Sequence, residues 1–170
     1  MGREVRRVPK DWQHPKDEKG RYIPAFGHSY AAEAAEWEEE YAQWCKGLVR
    51  AYGKDEKWEP REPQYAAMRF EEWHGRRPTP GDYMPDWSAA ERTHFQMYED
   101  TSEGTPISPV CETPEELARW LADNEASSFA GMTATYEQWL RVARGGFAPS
   151  MIIQGGVMDS GVAAFTKPAE

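Results

Sequence analysis

From Ser29 to Tyr52 the apolar positions step by three and four residues. Tyr30, Ala34, Trp37, Tyr41, Trp44, Leu48 and Tyr52 fall on one face, which predicts a long amphipathic helix with an aromatic stripe. Ser29 is placed to cap its start and Gly53 to end it. Glu33 and Glu36 lie near the positive end of its dipole, Lys46 and Arg50 near the negative end. A helix this long must bury one face, so the stripe reads as core rather than as a cofactor box, and the acidic run at residues 38–40 as a solvated face.

Downstream the pattern changes. "QYAAMRFEEWHG" predicts a short helix ended by Gly75, and Ser88 with Glu91 forms a capping box for one further turn of helix. "THFQMYEDT" alternates as a strand does, with Phe95 and Met97 on one face and His94, Gln96 and Tyr98 on the other. "TPEELARWLADN" and "TYEQWLRVARGG" are two more amphipathic helices. Leu117, Trp120 and Leu121 point inward on the first, and Tyr136, Trp139, Leu140 and Ala143 on the second. "SMIIQGGVMDSGVAAF" predicts two strands about a turn at Gly155 and Gly156, and residues 166–170 are expected to fray.

Two stretches follow neither period. Residues 1–28 hold Pro9, Pro15 and Pro24 with Trp12, Tyr22, Ile23 and Phe26 irregularly spaced. They read as an extended arm that lies on the body, because a free tail would leave those rings in water. "RRPTPGDYMPDW" cannot continue a helix or sit inside a sheet, and it reads as a strap carrying Tyr83, Met84 and Trp87. The expected fold class is α+β: a small antiparallel sheet packed with amphipathic helices, a long N-terminal helix, and extended segments rich in proline and aromatic rings. The expected organisation is an arm at 1–28, the helix and strap at 29–87 and a compact α+β unit at 88–165, within one structural domain.

Composition narrows the function. Aromatic residues make up 13% of the 170, enough to supply a core to a polar chain. No run approaches the roughly 18 apolar residues of a membrane span, and the start has no apolar signal core, so a cytoplasmic protein without a membrane partner is expected. The net charge of −9 is unevenly spread. Residues 1–28 carry seven basic and four acidic groups, while residues 88–131 carry two basic and nine acidic groups. Such an acidic region repels phosphates, so no direct nucleic-acid partner is expected, whereas a basic protein partner fits.

Catalytic and metal chemistry find little in the spacing. His14, His28, His74 and His94 are scattered, Cys45 and Cys111 are isolated, and no zinc pairing, Walker loop, dinucleotide fingerprint or nucleophile elbow is present. No cofactor or metal is expected. The helix opened by Thr113 spends its first donors on its own cap, has Pro114 at its first position, and carries Glu112, Glu115 and Glu116, so it cannot cradle a phosphate. The preceding loop, "TSEGTPISPV", is stiffened by Pro106 and Pro109, has Gly104 for a positive φ, and presents the hydroxyls of Thr101, Ser102, Thr105 and Ser108. Those hydroxyls either face a ligand or satisfy the loop's own backbone.

The candidate binding residues are therefore Tyr83, Trp87, Arg92, His94, Tyr98, Ser102, Glu103, Thr105 and Ser108, around a pocket where this loop meets the arm and strap. A nucleophile at Ser102, Ser108 or Cys111 with His94 and Glu103 can be drawn, but no spacing demands it. Arg76 and Arg77 either grip an anion or pair with local acids.

The combination of "WQHPKDEKGRYIP", "RRPTPGDYMPDW" and "MYEDTSEGTPISPVCETPEELARWLADN" with "TYEQWL" downstream resembles a family of small uncharacterised proteins of tailed bacteriophages and prophages. The resemblance spans most of the chain and carries no catalytic residues. It implies expression inside a bacterial host, and by analogy an accessory factor that binds host or phage machinery, including components of host defence. The expected function is non-enzymatic binding of a protein partner. The alternative is a small-molecule binder for a nucleotide or metabolite, and a small enzyme using His94 comes third. The aromatic stripe also leaves a homodimer open.

Overall fold

The computed structural model describes residues 2–51, 57–100, 104–154 and 156–164, apart from the side chains of Gln154 and Val157. In chain order they form strand β1 (Gly2–Val8), helix α1 (Tyr30–Cys45), and strands β2 (Leu48–Arg50) and β3 (Trp58–Pro60). Helix α2 (Phe70–His74), strands β4 (His94–Glu99) and β5 (Thr105–Pro106), and helices α3 (Pro114–Asp123) and α4 (Tyr136–Gly145) follow. Strands β6 (Phe147–Pro149), β7 (Met151–Gln154) and β8 (Val157–Ser160) lead to a last short helix, α5 (Gly161–Ala164). The protein is α+β. Among the described residues no helix is long and apolar enough to cross a membrane. Contacts divide the chain into two units, one of residues 1–27 with 87–170 and one of residues 28–86.

The first unit is built on an antiparallel sheet ordered β5-β4-β1-β6. One face carries Phe95, Met97 and Val5 against a core of Leu117, Ala118 and Leu121 from α3 and Trp139, Val142 and Ala143 from α4, closed by Cys111, Ala148 and Val162. Helix α3 begins at the cap its sequence predicts, Thr113, and α4 at Thr135, for which no cap was predicted. The Thr113 side chain accepts from the Glu116 amide, and Thr135 exchanges bonds with Gln138 in a capping box. Glu116 departs from the predicted reciprocal cap, because its carboxylate accepts from the amide of Glu112 instead. The hairpin predicted about Gly155 and Gly156 is β7–β8, with Ile153 opposite Met158. Ser88 and Glu91 bond as predicted, but the segment is a turn rather than a helix.

The arm is the main correction. Residues 2–8, read as having no strand period, form β1, an inner strand between β4 and β6. Its charges disguise it. Arg3 is buried, donating to the Ser127 carbonyl at 3.0 Å and pairing with Glu99 at 3.1 Å, directly across the ladder. Arg6 is buried on the opposite face, bonded to the Ala25 carbonyl and the Glu4 carboxylate at 2.7 Å each, with its guanidinium 4.3 Å from the centre of the Tyr98 ring. A buried arginine is tolerable only when its donors are met in this way. The same bonds tie the later part of the arm, through Ala25, to the sheet.

In the second unit, α1 starts at the predicted cap, Ser29, whose side chain accepts from the Ala32 amide. It ends earlier than predicted. The chain turns at Gly47, with a φ of +81°, so Leu48 and Arg50 belong to β2; Tyr52 and Gly53 lie outside the described residues. The stripe is covered in part within its own unit: Trp37, Tyr41 and Trp44 each place a ring 5.0 to 5.7 Å from Phe70 of α2, and Arg61 lies 4.0 Å over Trp44, so that Trp37 and Trp44 are buried while Tyr41 stays exposed. Arg50 pairs with Glu36 and Glu40 from β2 rather than ending the helix. Gly75 closes α2 at a φ of +102°, as its position in the sequence predicts. In the strap Met84 is buried, Arg76 pairs with Asp82 and Arg77 with Glu38, so both arginines meet local acids.

Candidate binding cleft

Proline and turn chemistry bend the arm back over the sheet face that carries Gln96 and Tyr98. The Pro15 carbonyl accepts from the Ile23 amide at 3.0 Å. Asp17 holds the tip, its carboxylate taking the amides of Lys19 and Arg21 at 2.9 Å each, and Gly20 supplies a φ of +77°. This small hairpin sets the Lys16 ammonium 4.6 Å over the Tyr22 ring and Tyr22 edge-on to His14 at 5.6 Å. The facing wall is the loop after β5. Gly104, just before β5, turns the chain into this wall at a φ of +91°, and its carbonyl accepts from the Ala25 amide at 3.3 Å, joining wall to arm.

Between them lies a cleft of about 790 Å³. Trp12, Gln13, His14, Pro15, Lys16 and Tyr22 line it from the arm, Gln96 from β4, residues 106–110 from the loop, and Trp120 from α3. Three large rings and three prolines dominate the lining, and among the described residues its one side chain charged at neutral pH is Lys16.

The floor is a hydrogen-bonded network. The Trp12 indole N–H lies 3.1 Å from Tyr98 Oη, which lies 2.8 Å from Gln96 Oε1 and 3.2 Å from His14 Nδ1. His14 Nε2 is 2.7 Å from the Ile23 carbonyl, and Gln96 Nε2 donates to the Ser108 carbonyl at 2.9 Å. Burial lowers the His14 pKa from its ordinary value; the Ile23 carbonyl opposes that shift and nearby Arg6 adds to it. Burial also pushes Tyr98 up to about 12.

A raised folded-state pKa keeps its full contribution to stability below the unfolded value and loses it as pH rises through the folded one. Tyr98 is therefore expected to withdraw about 2–3 kcal/mol between pH 10 and 12. Urea unfolding across that range should show the decline in wild type, and a much flatter one in Tyr98→Phe.

Of the nine residues singled out from sequence, the seven that the structure describes are dispersed by the fold. Ser108 lines the cleft, but its hydroxyl accepts from the Met97 amide at 2.9 Å and donates to the Pro109 carbonyl at 2.8 Å, so it serves its own backbone. Tyr98 lies fully buried behind the lining, and Trp87 stands edge-on to Trp12 at 4.7 Å. Thr105 sits on β5 opposite Glu99. His94 begins β4 with Nδ1 2.9 Å from the Thr93 hydroxyl, and Arg92 offers its carbonyl to Arg7; neither lines the cleft. Tyr83 belongs to the second unit, beside the rings of His28 and Tyr30. Ser102 and Glu103 lie outside the described residues.

Trp12, His14, Lys16, Tyr22 and Trp120 carry the cleft instead. The rings and prolines of the arm were the one sequence signal for the first four, and Trp120 was legible only as an inward residue of its helix. Two of the nucleophiles drawn from sequence gain nothing from this geometry: burial pushes the Cys111 thiol up to about 11, against thiolate formation, and Ser108 is held by backbone. Among the described residues no group of three His, Cys, Asp or Glu side chains is placed to hold a metal ion. No known protein family, curated protein or solved structure matches the chain.

Proposed function

We propose that this chain is a non-enzymatic binding protein, an accessory factor of the kind the phage resemblance implies, acting in the host cytoplasm through the cleft between arm and loop. The observation that carries the reading is the lining itself: Trp12, Tyr22 and Trp120 with Pro15, Pro106 and Pro109, beside Lys16 and, among the described residues, no carboxylate. Rings and prolines in an open groove suit an extended, proline-bearing segment of a protein partner, because such a segment is already stiff and loses little entropy on docking. The lone ammonium selects for a carboxylate on that segment. The polar side chains of the floor are engaged with one another, which fits recognition better than turnover.

A blocked hexapeptide alternating proline and glutamate, titrated while tryptophan fluorescence is read, tests the proposal. Saturable binding is expected in wild type, with a loss of about tenfold or more in Lys16→Glu, which replaces attraction by repulsion at an exposed and structurally undemanding site. No saturable change in the wild type, or a Lys16→Glu variant that binds as tightly, would count against it. The volume also falls in the range of small-ligand sites, roughly 300–1,000 Å³, which favours a nucleotide or metabolite as the second reading. That reading requires a rise in the unfolding midpoint with at least one compound of a thermal-shift panel.

A further inference from the structure

The floor of the cleft has more acceptors than hydrogens to serve them, and the missing hydrogen belongs on His14. The Ile23 carbonyl can only accept, so its 2.7 Å contact places a hydrogen on His14 Nε2. The Ser108 carbonyl in the same way orients Gln96, with Nε2 toward the loop and Oε1 toward Tyr98. The Trp12 indole can only donate, and it occupies one lone pair of Tyr98 Oη. With His14 neutral, Nδ1 at 3.2 Å and Gln96 Oε1 at 2.8 Å both face the single Tyr98 hydrogen, and one of them goes without. A proton taken from solvent onto Nδ1 removes the conflict. The ring then donates to Tyr98, Tyr98 donates to Gln96, and every group of the network is matched.

We propose that His14 is a proton-operated switch in the wall of the cleft: uptake of one proton at Nδ1 commits the Tyr98 hydrogen to Gln96 and adds a cation to the wall that carries Lys16, so that an anionic ligand and a proton bind together. The second half rests on the cleft being the ligand face; the first does not. Among the described residues, the titratable and charged groups facing His14 are Tyr98 from β4, Arg6 with its partner Glu4 from β1, and Tyr22 and Lys16 from the arm. The loop residues 106–110 bring none. Burial and Arg6 hold the ring neutral at pH 7, so the switch works in mild acid, and by reciprocity a bound anion raises the pH at which it operates.

Nitrogen-15 NMR of histidine- and glutamine-labelled protein between pH 8 and pH 5 tests the switch. At neutral pH His14 is expected as the Nε2–H tautomer, titrating below the ordinary value of about 6.5. The Gln96 amide and Trp12 indole signals are expected to move with the same midpoint, and to lose that movement in His14→Gln. An Nδ1–H tautomer at neutral pH, or Gln96 and Trp12 signals indifferent to the titration, overturns the switch.

The proline–glutamate hexapeptide is then titrated at pH 7.5 and pH 5.5. Affinity on the order of fivefold tighter at the lower pH is expected in wild type and not in His14→Gln. Equal affinity at both values while His14 titrates overturns the coupling. No binding at either pH overturns the ligand reading and the coupling with it, and leaves the switch to be decided by the NMR result alone.

Discussion

Replacing Gly104 by alanine is expected to cost about 3 kcal/mol or more and to release the arm from the sheet. Two effects combine. The residue sits at a φ of +91°, where an L side chain is strained by roughly 1–3 kcal/mol. A Cβ built there would also stand 1.9 Å from the Ala25 carbonyl oxygen and 2.6 Å from an Arg6 nitrogen. The carbonyl is backbone and cannot step aside, so arm or loop must move, adding roughly another 1–3 kcal/mol. The displaced bonds are two of those that join the later part of the arm to the rest of the unit: Ala25 N–H to the Gly104 carbonyl, and Arg6 to the Ala25 carbonyl.

Gly20→Ala supplies the contrast. Its φ is +77°, but no atom lies within 4 Å of the added methyl, so only the strain remains and a loss of about 1 kcal/mol is expected. Urea unfolding separates the two variants. Amide exchange gives the sharper check: protection at Ile23 and Ala25 should fall in Gly104→Ala while that of β4 persists. Unchanged exchange at Ile23 and Ala25 would show that Gly104 does not hold the arm.

Trp139→Ala is expected to cost about 3–5 kcal/mol, a loss comparable to the whole stability of many domains of this size. The ring has no solvent exposure and stands in the core with Leu117, Leu121 and Val142, so its removal leaves a cavity that α3 and α4, each ten residues long, cannot both relax to fill. Trp139→Phe should cost far less, about 1–2 kcal/mol, for a reason beyond size. The indole nitrogen has no hydrogen-bond partner among the described residues, and phenylalanine removes that buried donor together with part of the ring. Far-UV circular dichroism in urea reads both variants independently of the lost fluorophore. A phenylalanine variant as unstable as the alanine one would mean that the indole shape, rather than apolar volume, is what the core requires.

The candidate cleft shows how far local pattern reaches. Proline-rich chain with rings was readable as something that lies on a body, and Trp12 and Tyr22 do so. The residues chosen to line a site came from the neighbourhood of one loop, because proximity in sequence is what a single chain displays. His14 and Tyr98 are 84 positions apart, and nothing in either neighbourhood pairs them. Trp120 was readable as an inward residue of its helix, and it is; that it also reaches the cleft follows from where α3 crosses the sheet.

The sequence by itself determined what short-range chemistry governs. It set the caps at Ser29 and Thr113, the stop at Gly75, the alternation of β4, the β7–β8 hairpin, and the inward faces of α3 and α4. Each rests on contacts within a few residues, where spacing and side-chain type suffice. Only the tertiary structure decided that "GREVRRV" is an inner strand, because Arg3 and Arg6 become tolerable in the interior once Glu99, the Ser127 and Ala25 carbonyls and the Tyr98 ring, all distant in the chain except for neighbouring Glu4, meet their charge. The cleft is of the same kind. Its walls come from residues 12–16, 22, 96, 106–110 and 120, and the ladder between β1 and β4 is what brings them together.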